Sequence, residues 1–285
     1  MACVNQLPRL PKSPITLCGP GTYQPTRERK IKALQCYLKL VPFLIPTYRS
    51  IASSHLWHGD LHLANIFVNP SKPTEIVGII DWQSTELSPL YFQARQPHFI
   101  DYVGPVLFGL ERPRKPTDAE MLDKKIKTLY LQQSLCSLYN NLTYHKNPRL
   151  HAAFEFQQTI SYLLLLLARN IVIDGEVTYL TEALNLEATW HTIPQVGDSA
   201  YPLSFSAEER QELKSELDGV LRGMGMMSAI RESIGELFPE KGIVSLHQYD
   251  ESLNALEQMK EQVIEQYAKN EQEAGIWRKE WPFGT

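Results

Sequence analysis

His55-Leu-Trp-His-Gly-Asp-Leu-His-Leu-Ala-Asn-Ile-Phe-Val-Asn-Pro runs from position 55 to 70, and Ile76-Val-Gly-Ile-Ile-Asp-Trp-Gln runs from 76 to 83. Two apolar runs, Ile66-Phe-Val and Ile76 to Ile80, flank the polar residues from Asn69 to Glu75. Strand-forming residues bounded by Asn, Pro and Ser predict a β-hairpin. Such a hairpin presents three polar groups together: Asp60 and Asn65 ahead of its first strand, and Asp81 at the end of its second.

A kinase catalytic loop is spaced His-x-Asp-x-x-x-x-Asn, and a metal-binding Asp follows on the next hairpin. His58-Gly-Asp-Leu-His-Leu-Ala-Asn65 has that spacing, and Ile80-Asp-Trp82 stands where kinases carry Asp-Phe-Gly. Gly59 occupies the place where protein kinases usually have Arg, so the loop resembles the aminoglycoside phosphotransferase family, a branch of the kinase-like fold. The run from Ile79 to His98, with Tyr130-Leu-Gln-Gln-Ser and Ala153-Phe-Glu-Phe-Gln-Gln, is similar to a fungal group of that family. That group includes proteins named altered inheritance of mitochondria protein nine. The likeness extends from Leu17 to the C-terminus.

The resemblance implies a mainly helical α+β fold, a protein-kinase-like C-terminal lobe with a small catalytic β-hairpin. It implies ATP- and Mg²⁺-dependent phosphoryl transfer to a hydroxyl of a small-molecule acceptor. Asp60 is then the catalytic base that accepts or orients the acceptor hydroxyl. His58 braces the catalytic loop. Asn65 and Asp81 hold Mg²⁺, since a hard cation favours oxygen ligands. His62, between base and metal ligand, joins Asn65 at the cofactor phosphates, or contacts the acceptor, or is an exposed loop histidine. Trp82 packs beneath Asp81, and Arg95, Gln96 and His98 are candidates for acceptor contacts. A second chemistry competes. His58, Asp60 and His62 alternate, so on a strand they share one face, and two histidines with a carboxylate form a transition-metal ligand set. That reading leaves Asn65 and Asp81 unexplained.

The chain has 285 residues and a formal net charge of −4. With no basic excess, nucleic acid is not an expected partner. The cysteines, at positions 3, 18, 36 and 136, form no Cys-x-x-Cys pair, which suits free thiols in a reducing compartment. The N-terminus carries no apolar signal core, and Pro8, Pro11 and Pro14 interrupt any amphipathic targeting helix. The run from Leu163 to Ala168 falls far short of the roughly 18 residues that span a bilayer. An intracellular location follows, with the mitochondrion implied by resemblance or the cytoplasm as the other choice.

Residues 1–25 read as an extended segment. A helix follows from Thr26 to Val41 with Ile31, Leu34, Tyr37, Leu38 and Val41 as its apolar stripe, ended by Pro42 and Pro46. A kinase-like N-lobe supplies a Gly-rich loop and a Lys–Glu pair. Cys18-Gly-Pro-Gly-Thr22 fits no phosphate-loop pattern, so the N-lobe is expected to be absent. Beyond Trp82 a Pro-rich loop tucks Phe92, Phe99, Tyr102 and Phe108 against the core. A helix over 117–139 carries Leu122, Ile126, Leu129, Tyr130, Leu135 and Leu138 as one stripe. A second, over 148–174, is the central buried helix, ended at Asp174-Gly175. A third covers 178–192. Ser206 and Glu209 fit a capping box that opens another, Gly242 and Ile243 mark a turn, and a last helix covers 250–274. Residues 26–200 thus form the lobe and 201–285 a helical extension whose Trp277 to Phe283 fold back. The self-contained readings of function are a phosphotransferase needing a nucleotide-clamping lobe and a catalytically silent binding module. Exposed lobe-interface residues predict self-association.

Overall fold

The computed structural model describes residues 16–83, 85–97, 100, 110–118, 120–239 and 244–283. The expectations for the coil at 1–15, for His98, Phe99, Tyr102 and Phe108, and for the turn at Gly242-Ile243 lie outside these residues. The fold is mainly helical, with four short strands among the described residues paired as two small antiparallel sheets. Two compact units divide the chain: residues 1–44 with 164–285, and residues 45–163.

In the first unit, Thr26 opens α1 (Arg27–Leu44), its Oγ1 accepting the Arg29 N–H at 3.2 Å. The helix does not stop at Pro42. It continues to Leu44, although Pro42 lacks the N–H that would donate to the Leu38 carbonyl. The buried face is Lys30, Ala33, Cys36, Leu40 and Leu44, while Leu38 is 66% exposed. Packing against α7 (Glu176–Thr189) selects this face over the more apolar one, with Tyr37 edge-on to Tyr179 at 6.1 Å.

Lys30 belongs there because Glu176, fully buried, needs a counter-charge. Lys30 Nζ lies 3.6 Å from Glu176 Oε2 and donates to the Val172 and Ile173 carbonyls, and Tyr23 donates to Glu176 Oε1 at 3.0 Å. Burial pushes the Glu176 carboxyl above the ordinary carboxylate range, against the pull of Lys30 and Tyr23.

Ser206 and Glu209 form the expected capping box of α8 (Ala207–Ile234). Leu17 donates its N–H to the Gly223 carbonyl at 3.1 Å, and a Cβ at position 223 would sit 2.5 Å from the Leu17 oxygen. The glycine is what lets the two backbones meet. The expected last helix is two helices, α9 (Tyr249–Tyr267) and α10 (Glu271–Glu280). Asn270 starts the second by accepting the Glu273 N–H at 2.9 Å, which halts the first. As expected, the terminal aromatics fold back: Trp277 and Trp281 are buried with Leu17, Met227 and Ile264.

The second unit begins with the single helical turn α2 (Arg49–Ala52) and strand β1 (Ser54–Trp57). The predicted hairpin is β2 (Ile66–Asn69) and β3 (Lys72–Ile79), with Ile66 opposite Ile79. Its turn is tighter than expected, since Lys72 to Glu75 already belong to β3. β1 pairs with β4 (Glu86–Pro89), Trp57 opposite Glu86. The buried Gln93, on the one-turn α3 (Leu90–Gln93), joins them by donating to the His55 and Ser88 carbonyls at 2.5 and 3.0 Å.

The helix expected over 117–139 is α4 (Lys124–Lys146), capped by Asp123. Its predicted stripe faces outward: Ile126, Leu129, Leu135 and Leu138 are exposed, as is Leu122 before the helix. The inward face is polar because it serves backbone carbonyls, which must find donors when covered. Ser137 donates to Glu111 O at 2.8 Å, and Asn141 to Leu110 O at 3.0 Å. The expected helix over 148–174 is broken into α5 (Pro148–Gln157) and α6 (Ile160–Leu167). Thr159 makes the break, capping α6 through the Tyr162 and Leu163 N–H groups. Nor is the leucine block buried all round, since Leu163 and Leu166 are 39% exposed. No helix among the described residues is long and apolar enough to cross a membrane.

Candidate functional site

β1 ends at Trp57, so the loop from His58 to Asn65 leaves an edge anchored by β4 and Gln93. A 3₁₀ turn over Leu63–Asn65 closes it. Asn65 is buried, 5% exposed, and its position is over-determined. Its backbone N–H donates to His62 O at 3.0 Å. Its Nδ2 donates to the Asp60 carbonyl at 3.0 Å and meets His62 Nε2 at 3.1 Å. Both amide hydrogens are thereby engaged, and Oδ1 keeps its lone pairs. The Asp60 side chain is 62% exposed, with Oδ2 3.6 Å from His62 Nε2.

The hairpin end is tied to this loop by two backbone contacts. Ile80 donates its N–H to Asn65 O at 3.0 Å, and His58 Nε2 donates to Ile80 O at 2.8 Å. Asp81 then takes φ 64°, the left-handed region, where it is the sole non-glycine among the described residues. Strained backbone of this kind gathers at ligand-binding sites. Trp82 does not pack beneath Asp81. It is 48% exposed, stands edge-on to the His58 ring at 4.8 Å, and donates Nε1 to Ile79 O at 2.8 Å.

The geometry brings Asp60, His62 and Asn65 into one hydrogen-bonded loop with Asp81 adjoining through Ile80. It does not assemble the transition-metal alternative. His58, Asp60 and His62 lie beyond β1 rather than along a strand, and His58 Nε2 is turned to a carbonyl. Among the described residues no three His, Cys, Asp or Glu side chains cluster as a metal cage. One carboxylate and one amide oxygen suit Mg²⁺, which keeps waters and substrate phosphates in its shell.

A pocket of about 200 Å³ opens beside the loop, with Trp57, Leu61, Trp82, Arg95 and Gln96 among its walls. Gln96 is less a free contact than a strut, donating to Asn140 Oδ1 at 3.1 Å. Reading the sequence missed Trp57 and Leu61 as pocket walls and Gln93 as the clamp of the small sheet. The alternation Leu56-Trp57 ahead of His58 is the one signal that marks the first of these.

Residues 7–94 match the phosphotransferase enzyme family. Subtelomeric hrmA-associated cluster proteins from two strains of Aspergillus fumigatus are each 24% identical over 272 residues, covering 94% of this chain and 52% of the relative. The chain thus spans about half the length of the curated relatives it matches. No solved structure matches.

Proposed function

We propose that this chain, a relative of the aminoglycoside phosphotransferase-like family, carries the acceptor and metal side of an ATP-dependent phosphotransferase acting on a small hydroxylated molecule. The observation that supports it best is the fixed Asn65 amide beside Asp60, with the left-handed Asp81 tied to the same loop. Asp60 accepts the proton of the acceptor hydroxyl as its oxygen bonds to the γ-phosphorus of ATP, the bond to the β-phosphate oxygen breaks, and ADP leaves. Asn65 Oδ1 and the Asp81 carboxylate would hold Mg²⁺, which would supply charge neutralisation for the transferring phosphoryl group. His58 positions the loop and His62 stands at the phosphates.

Phosphoryl transfer rests on positioning. The ion pairs of the described residues join no strand lysine to a helix glutamate. A γ-phosphate misplaced by about 1 Å costs on the order of 10²-fold. Exposed Phe67, Ile76 and Val77 on the hairpin also dispose this polypeptide to self-association. Phosphate transfer from labelled ATP to a panel of hydroxylated small molecules tests the reading. A polypeptide that includes a nucleotide-clamping lobe transfers phosphate and loses that activity on Asp60→Asn. Transfer that survives Asp60→Asn overturns it. A silent binding module, favoured by the lack of a clamp among those ion pairs, binds Mg²⁺–nucleotide without transfer in either form.

A further inference from the structure

The pocket beside the loop is small, apolar and singly charged. Gly59 and Leu61, the chain neighbours of the proposed base Asp60, line it. Trp57 and Trp82 supply indole walls. Its volume of about 200 Å³ sets the scale: a cavity of roughly 150 Å³ encloses a benzene ring. One aromatic ring with a short substituent fits, and a linked set of sugar rings does not. The charge comes from Arg95, whose guanidinium makes no hydrogen bond or ion pair with the described residues. Gln96 is already committed to Asn140, and Arg95 brings the cationic charge to the wall.

From the proposed reaction as its premise, we infer that the acceptor is a single-ring aromatic hydroxyl compound bearing an anionic group, held between Trp57 and Trp82 with its anion at Arg95 and its hydroxyl at the rim by Asp60. A polycationic acceptor is disfavoured there twice over, by size and by the sign of the charge. The competing force is attraction of a cation to indole faces, which can reach about 2 kcal/mol when desolvated. A guanidinium in the same wall, without an ion pair among the described residues, opposes it.

The test uses three probes that share a phenol ring and differ in charge: 4-hydroxyphenylacetate, tyrosol and tyramine. Each is titrated against residues 1–285 without nucleotide, and tryptophan fluorescence is read, since Trp57 and Trp82 line the site. The anion is expected to bind about fivefold more tightly than the neutral alcohol, the scale of one partly exposed ion pair, and the cation more weakly than either. Arg95→Gln should erase the preference for the anion while leaving the neutral probe's affinity unchanged, and the exposed position keeps the fold intact. Trp57→Phe should weaken all three together. Equal binding of the three probes, tighter binding of tyramine, or an anion preference that survives Arg95→Gln overturns the inference. Binding is measured without phosphoryl transfer. Charge-selective binding in a protein that never phosphorylates sinks the proposed reaction and leaves the pocket's chemistry standing.

Discussion

His58 donates its Nε2 hydrogen to the carbonyl of Ile80, 2.8 Å away and 22 residues along the chain. Because a carbonyl can only accept, Nε2 carries the proton, and Nδ1 is left buried without a partner among the described residues. One bond therefore fixes the catalytic-type loop to the residue that precedes Asp81.

Replacing His58 by Phe keeps a ring against Trp82 and removes the donor. The expected loss is about 1 kcal/mol of stability, the net worth of one hydrogen bond. Thermal unfolding checks this. Asp81 should also lose its setting, so the same variant should show a smaller stabilisation by Mg²⁺–nucleotide. A variant with unchanged melting and an unchanged ligand response would remove the brace from the site.

Mg²⁺–nucleotide should itself raise the melting temperature of the wild-type chain, since a ligand that prefers the folded state stabilises it by mass action. At a ligand concentration 100 times Kd the gain is about 2.7 kcal/mol. Asp81→Ala removes the carboxylate proposed as the charged ligand and should abolish the shift. An equal shift in that variant takes Asp81 out of the metal site.

Lys32, and then the Ser206 N–H, hold the Glu209 carboxyl below the ordinary carboxylate value of 4.5. The unfolded chain therefore takes up this proton at a higher pH than the folded one. The stability so contributed is present above the ordinary value and is lost as pH falls through the lower, folded value. Glu209→Gln should cost about 1 kcal/mol at pH 7, the scale of a helix cap, and flatten the acid side of the stability profile. Urea unfolding across pH 3 to 7 reads both effects, and the two proteins should converge at the acid end.

A methyl group at Gly19 would run into the ring of Trp277. Gly19→Ala should destabilise by about 2 kcal/mol, the scale of an overpacked core. Gly225, inside α8, has open space around its Cβ direction, so Gly225→Ala should stabilise by about 0.5–1 kcal/mol. Opposite signs in denaturant midpoints are the expected result.

The parts of this fold legible in the sequence are those specified by neighbours in the chain. The hairpin announced itself through Asn69-Pro-Ser71 between two apolar runs, and the α8 start through Ser206 and Glu209. The pairing of β1 with β4 did not, because Glu86-Leu-Ser-Pro89 has no strand signature and depends on Gln93 to join it to residue 55. The breaks at Thr159 and Asn270 were readable as caps but lay inside longer apolar periods that masked them. On α4 the period gave the right element and the wrong face. Leucines repeat there at helical spacing, yet the loop at Leu110 and Glu111 needs donors, and Ser137 and Asn141 turn inward to supply them. In the candidate site the spacing singled out Asp60, Asn65 and Asp81 as candidates, but the amide's orientation and the left-handed turn are properties of the folded backbone alone.

That turn also shapes how the position can drift. Among residues one base change from an aspartate codon, asparagine and glycine suit a left-handed backbone, whereas valine is a severe misfit there. Asparagine keeps an oxygen without its charge, and glycine keeps neither. Selection for folding alone therefore filters mutations at residue 81. A descendant that abandoned the proposed chemistry while still needing to fold would most readily carry asparagine or glycine there, and its genome would record the lost carboxylate as one of those two letters.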